Sequence, residues 1–296
     1  MRCLVTGGAG FIGSNLVDGL IKDGHVVVVW DNLFTGERNN VNPKAHFINC
    51  DINKSYDARK VLMDSFKPDV VFHLAAFPRV EQSIQDPLTS HDINVNGTLR
   101  MLRLSAECGV KRFVLSSTSA VYGEAKQLPT TEECELNPMS PYALHKLIGE
   151  QYCKLFSELY DIETVCLRYS NVYGEGQPTE GAYCNVMGIF EQQKERGDKL
   201  TIVGDGKQRR DFVYVGDVVA VNITVGVTKM KFNGDIFNIG SGRSYSVNQI
   251  AQWIGGETTN IEPRTEPKET LLQSGKANFV LNWKTTMELE QWIKNR

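Results

Sequence analysis

The stretch SPYALHK, residues 140–146, sets Tyr142 and Lys146 four positions apart, just after a proline. An α-helix turns once in about 3.6 residues, so the two side chains emerge on one face. Such a pair is either helix surface or a proton-transfer device. A phenol of pKa about 10 is a poor base near neutral pH unless a neighbouring cation favours its charged form. Spacing alone leaves both readings open.

A second set of residues points to a nucleotide. The run TGGAGFIG follows a short apolar stretch and carries Gly7, Gly10 and Gly13 in the spacing G-x-x-G-x-x-G, with Phe11 and Ile12 opening the next helical pattern. Glycines here permit a tight turn and close backbone approach, and the helix N-terminus that follows attracts a pyrophosphate. The next apolar run ends VVVVWDN, which puts Asp31 eighteen residues after Gly13. A carboxylate at that point accepts hydrogen bonds from the adenosine ribose and repels a 2′-phosphate, so NAD is expected rather than NADP. Asp51, at the end of the third run, is a candidate contact for adenine, or a solvated turn residue.

These groups need a scaffold. Six apolar runs, RCLVTG, HVVVVWD, AHFINCD, DVVFHLAA, KRFVLSS and ETVCLRY, alternate with helical patterns at Phe11–Lys22, Tyr56–Ser65, Asn94–Glu107 and Tyr142–Tyr160. Continuous rather than alternating hydrophobicity predicts strands covered on both faces, hence a doubly wound α/β fold with a mostly parallel sheet. Beyond Gly174 the pattern loosens. A large domain is expected over 1–174, completed by about 211–240 with a helix at Val215–Val225 and a strand at DIFNIG; a smaller lobe is expected from 175–210 and 241–296.

The bulk properties narrow the partners. The 296 residues are 41% hydrophobic and 23% charged, with a net charge of -3, which gives no reason to expect nucleic acid. The start MRCLVTGGAG does not read as a signal peptide, and no run of about 18 apolar residues occurs, so a cytoplasmic protein without a membrane span is expected. Seven cysteines without a CxxC pair, and five histidines, predict neither a disulfide framework nor a structural metal site.

In order along the chain, TGGAGFIG, DNLFTG, FHLAA, NVNGT, SSTSAVYG, SPYALHK, LRYSNVYG and GDGKQRRDFVYV resemble the sequence blocks of the extended short-chain dehydrogenase/reductase family, in its nucleotide-sugar epimerase and dehydratase branch. The resemblance covers essentially the whole chain. It implies a Rossmann-type domain with a smaller C-terminal substrate-binding lobe. It implies Tyr142 as phenolate base, Lys146 as its electrostatic support and ribose contact, and Thr118 beside the sugar O4; Ser116, Ser117 and Ser119 are read as polar residues at a strand end. Expected cofactor contacts extend to Asn32, Gly36, Ile52, Leu74, Ala75, Ala76 and Asn94. For the substrate, a nucleoside diphosphate-sugar, it implies Asn171 and Asn185 near the diphosphate, Arg210 and Arg264 gripping it, and Val203 against the base. Pro78 and Arg79 lie close to the site, with Arg79 either meeting an acidic sugar or serving as a loop cation. Helices 94–107 and 142–160 carry surplus leucines, and the resemblance implies that their outer faces form a homodimer.

The departures matter as much. Dehydratases of the branch carry an Asp-Glu pair directly after the threonine, and UDP-glucuronate decarboxylases keep a glutamate where Ala120 stands; here Ser119 and Ala120 follow Thr118. Oxidation and re-reduction at C4 is the simplest chemistry left, which is epimerisation, with UDP-glucose and UDP-galactose the expected pair. The alternatives are an N-acetylhexosamine or uronic acid 4-epimerase, another nucleotide-sugar reductase or modifying enzyme, and a non-catalytic NAD-bound protein. Relatives read VYGPRQ where this chain reads VYGEGQ, with Glu175 and Gly176 in place of the proline and arginine.

Overall fold

The apolar runs form strands because β-branched and aromatic side chains pack well on a pleated surface buried from both sides. They give β1 (Arg2–Thr6), β2 (Val26–Asp31), β3 (His46–Asn49), β4 (Val70–His73), β5 (Arg112–Thr118) and β6 (Glu163–Tyr169). These join β10 (Asp235–Ile239) in one seven-stranded sheet, order β10-β6-β5-β4-β1-β2-β3. Strand β1 pairs in parallel with both β2 and β4, β2 with β3 and β4 with β5. The order reverses at β1, and in open α/β sheets the crevice at the carboxyl ends of such strands is where ligands bind. The computed structural model from which this is read describes residues 1–54, 56–179, 185–264 and 266–296.

Helices α1 (Phe11–Lys22), α2 (Tyr56–Phe66), α3 (Val80–Gln85), α4 (Pro87–His91), α5 (Gly97–Glu107) and α6 (Pro141–Leu159) follow the strands. In α1, Leu16, Val17 and Leu20 are fully buried, each such side chain contributing roughly 1.5–3 kcal/mol. The helix expected from Asn94 begins earlier. Asp86 caps α4 by accepting from the Thr89 N–H at 3.0 Å, Pro87 opens its first turn, and a π-helical stretch at Asp92–Asn96 carries the chain on into α5. In α5, Leu102 and Leu104 are fully buried in a core with Phe113, Cys153, Phe156 and Cys166, and Leu99 packs against that core partly buried.

The chain gathers into two compact units: Met1–Val121, Pro138–Arg168 and Val219–Phe237 in the first; Tyr122–Asn137, Tyr169–Val218 and Asn238–Arg296 in the second. The second contains β7 (Asn171–Tyr173), β8 (Leu200–Val203), β9 (Arg209–Tyr214), β11 (Ser244–Ser246), β12 (Thr258–Ile261), α7 (Val186–Glu195), α9 (Val247–Ile254), α10 (Gly275–Leu281) and α11 (Leu289–Lys294). Its core includes Tyr173, Phe190, Ile202, Phe212, Ile250 and Trp292. Residues 211–218, expected in the large domain, cluster here because β9 pairs with β7 and β11 rather than with the large sheet. Helix α8 (Val215–Val227) starts in this unit and continues into the first. Among the described residues no helix is long and apolar enough to cross a membrane.

Candidate active site

The three glycines of TGGAGFIG have different physical reasons. Gly7 sits at φ +71, and a Cβ there would lie 2.6 Å from the Ala75 nitrogen, so the loops after β1 and β4 meet backbone to backbone. A Cβ on Gly13 would overlap the Gly7 carbonyl oxygen and approach Gly8 Cα to 2.9 Å. Gly10 is different: its φ of -82 suits any residue, and a Cβ would meet only the Gly7 oxygen at 3.4 Å. The fold itself therefore demands Gly7 and Gly13 but not Gly10. Gly10 is the N-cap of α1 and supplies no capping side chain, which leaves that helix N-terminus free for an external anion.

Asp31 ends β2 buried, accepting from Ala9 N–H at 2.9 Å and Leu33 N–H at 2.8 Å. One acceptor site per oxygen remains for hydroxyl donors. A Cβ on Gly36 would come within 2.7 Å of the Ala9 carbonyl carbon, and Asn40 donates to the Ala9 oxygen at 3.1 Å, so this loop is pressed onto the glycine turn. Asn32 accepts from Phe34 N–H and Asp51 from Asn53 N–H, each closing a local turn. Ile52 is buried under Gly97, while Phe11 and Ile12 are half-buried at the start of α1. Leu74 N–H donates to Thr6 O at 3.1 Å and Ala75 N–H to Thr6 Oγ1 at 3.3 Å; Ala76 follows, half-buried. Asn94 is buried with its amide occupied: it accepts from Phe77 N–H at 2.8 Å and donates to Phe77 O and Ser90 Oγ.

The sequence SP starts α6 for local reasons. Ser140 caps it by accepting from Ala143 N–H at 3.2 Å, and Pro141 takes the first turn, where its missing N–H costs nothing. Tyr142 is thereby set at the helix entrance with Lys146 one turn on. The Thr118 side chain stands beside the Tyr142 hydroxyl and acts to favour its ionised form. Lys146 is buried and donates to the Ser116 carbonyl at 2.9 Å. Burial pushes the Tyr142 phenol up to about 12, with the neighbouring Thr118 pulling the other way. Burial pulls the Lys146 ammonium down to about 8, opposed by the Glu150 carboxylate. In the protein alone burial therefore outweighs the opposing influence of Thr118 on the phenol. Pro78 is exposed and Arg79 partly buried at the N-cap of α3.

The second unit holds the remaining residues. Arg210 donates to Glu266 at 2.6 Å, and Arg264 meets the same carboxylate at 3.4 Å, so one acid joins the two arginines. Arg209 pairs with Glu269. Asn171 donates to the Asp211 carbonyl at 2.9 Å. Asn185 caps α7, accepting from Gly188 N–H at 3.0 Å and donating to Val172 O and Gln177 Oε1. Val203, at the end of β8, pairs with Ile261 of β12. The VYGEGQ departure has a structural account: Glu175 accepts from the Tyr214 hydroxyl at 2.7 Å and the Trp292 indole N–H at 3.1 Å. Sequence reasoning missed Glu266, Glu150 and Arg168; a glutamate two turns after Tyr142 and an arginine inside an apolar strand are the signals for the last two.

A parallel sheet reversing at β1, a glycine turn with one glycine the fold does not require, and a Thr-Tyr-Lys constellation define an NAD-dependent enzyme of the short-chain dehydrogenase/reductase type. The chain belongs to the NAD dependent epimerase/dehydratase family, whose profile matches residues 3–240. It is 42% identical over 299 residues to the putative UDP-glucose 4-epimerase of Methanocaldococcus jannaschii, covering 98% of this chain and 95% of that one. Among solved structures, a UDP-glucose 4-epimerase from Thermotoga maritima with UDP-glucose superposes with a TM-score of 0.94 at 38% identity, covering 99% of this chain and 96% of the other. The UDP-glucose 4-epimerase of Thermus thermophilus, in complex with NAD, gives 0.92 at 32% identity, covering 99% and 97%.

Proposed function

We propose that the chain is a UDP-sugar 4-epimerase that interconverts UDP-glucose and UDP-galactose through a transient 4-keto sugar, with the first unit binding NAD and the second the nucleotide-sugar. The observation that carries the reading is Tyr142 beside Thr118, with Lys146 one turn away and no carboxylate at the two positions after Thr118. Tyr142 takes the proton of the C4 hydroxyl, with Thr118 orienting that oxygen, and returns the proton to O4 after the sugar has turned its other face. Lys146 supplies positive charge to the phenolate. NAD, when bound, would supply the acceptor and donor of the C4 hydride and, in its oxidised form, a second positive charge. Gly10 and the start of α1 receive the pyrophosphate, and Asp31 the adenosine ribose. Arg210 and Arg264 exchange Glu266 for the diphosphate of the substrate, arginine being suited to bidentate phosphate contacts.

The reading is tested by incubating the purified protein with UDP-glucose, UDP-galactose and their N-acetylated and uronic acid relatives and separating the products by chromatography. The expected result is conversion of the first pair with no stoichiometric NADH released or consumed. Conversion of only an N-acetylated or uronic pair would replace the sugar assignment, and net cofactor turnover would indicate a reductase.

A homodimer belongs to the same proposal. Val80 and Ile84 of α3, Leu88 of α4, and Leu144, Leu155 and Leu159 of α6 are exposed, Leu88 by 82%. Large exposed apolar groups clustered on neighbouring helices indicate an interaction surface. Light scattering that reports a monomer at micromolar concentration would remove it. A cytoplasmic location is supported by the six described cysteines, all free thiols.

A further inference from the structure

Three consecutive residues of β5 are tied to three residues on one face of α6. The Ser116 carbonyl accepts from Lys146 at 2.9 Å, the Ser117 hydroxyl donates to Glu150, and the Thr118 side chain stands beside the Tyr142 hydroxyl. Tyr142, Lys146 and Glu150 recur every four residues, so all three lie along a single stripe of the helix. Glu150 is 2% exposed and is gripped by Arg168 of β6, with Nε at 2.9 Å from Oε1 and Nη2 at 2.6 Å from Oε2. Arg168 is itself 1% exposed.

A buried ion pair is weak evidence for stability, because desolvation of each ion costs several kcal/mol and a well-packed apolar pair of similar volume is often as stable. The pair makes sense through what it holds. Glu150 contacts no part of the reacting constellation proposed above, yet its bonds to Ser117 and Arg168 lock β5 and β6 against α6 at the level of Lys146. We propose that Glu150, held by Arg168, is a positioning residue: it fixes the end of β5 on α6 so that Thr118 and Lys146 both stay in register with Tyr142. The proposal rests on the reading of Tyr142 and Lys146 as the reacting pair.

Glu150 has a second effect on the same neighbour. The titratable groups around the Lys146 ammonium are His73 of β4, Glu150 and Cys153 of α6 and Cys166 of β6, with Arg168 behind Glu150. Burial holds His73 neutral, pulled down to about 3. The adjoining Cys153 thiol, and burial after it, push the Cys166 thiol up. Against burial, Glu150 is the foremost neighbour favouring the charged form of Lys146.

The test compares Ser117→Ala and Glu150→Gln with the parent holoenzyme by kcat, KM for UDP-glucose, the pH profile of kcat, and thermal unfolding. Ser117→Ala removes one bond and leaves no unpaired charge, so it folds; kcat falls several-fold with KM and pH profile unchanged. Glu150→Gln keeps the shape and removes the charge; kcat falls about ten- to a hundredfold, the scale of a small misplacement of reacting groups, KM stays unchanged, and the alkaline downturn of kcat moves to lower pH. A parental kcat in Ser117→Ala, or a parental kcat and pH profile in folded Glu150→Gln, overturns the proposal. If Glu150→Gln does not fold, Ser117→Ala decides. Should Tyr142→Phe retain the parental rate, the underlying reading of the site fails; if Tyr142→Phe is slow and both other variants are parental, only the positioning role fails.

Discussion

Replacing Tyr142 by phenylalanine keeps the ring and removes the atom proposed to take the proton. With the phenol pushed up to about 12, about one molecule in 10⁵ carries the phenolate at pH 7, so bringing the pKa to neutrality requires about 7 kcal/mol. An ammonium one helical turn away, at about 6 Å and an effective dielectric of about 20, supplies about 3 kcal/mol of that. The remainder falls to the bound oxidised cofactor. Two magnitudes follow: Lys146→Met is expected to lower kcat about a hundredfold, and Tyr142→Phe about a thousandfold, inside the 10²–10⁴ range of acid–base assistance. The assay is UDP-glucose to UDP-galactose conversion at saturating sugar, with NAD occupancy of each preparation measured after denaturation. Tyr142→Phe is expected to hold its NAD, whereas Lys146→Met binds it more weakly through loss of a ribose contact. The reasoning is refuted if Tyr142→Phe with full NAD occupancy turns over at the parental rate, or if Lys146→Met is slower than Tyr142→Phe.

The glycine turn separates fold from cofactor. Gly13→Ala drives a Cβ into the Gly7 carbonyl and is expected to cost about 3 kcal/mol, visible as a lower unfolding midpoint without any ligand. Gly10→Ala has space and a permissive φ, so its unfolding midpoint stays parental while NAD affinity, measured by calorimetry, falls about tenfold or more; a destabilised Gly10→Ala would contradict this. The pH profile of kcat carries the third expectation. The Lys146 ammonium is held at about 8, below its ordinary value, so its charge is present below that pH and lost above it, and kcat should turn down on the alkaline side. A profile still rising beyond pH 9 would show that the phenolate does not depend on Lys146.

Sequence and tertiary structure divide this protein along the range of the interactions involved. Local chemistry was readable without coordinates. Continuous apolar runs rich in Val mark β1, β2 and β4, Ser140 and Pro141 mark the start of α6, and the Tyr142–Lys146 spacing needs only the pitch of a helix. The order of strand, glycine turn, helix and acidic strand end announced a dinucleotide site because each part acts on its sequence neighbours. Propensity did not reveal which strand pairs with which. The apolar run at 211–215 looks the same whether it joins the large sheet or, as it does, bonds to β7 and β11. Nor did amphipathic patterning separate core from outer face: Leu102 and Leu104 of α5 are core, while exposed apolar side chains lie on α3, α4 and α6. Polar residues were the least readable. Asn94 and Asn185 have the types expected of ligand contacts, yet their amides are taken up by the chain's own backbone and neighbouring polar side chains. Glu150 meets Arg168 and Ser117 only because α6 packs on β5 and β6. A buried polar group must find a partner when it leaves water, and that partner is chosen by packing between segments far apart in the chain.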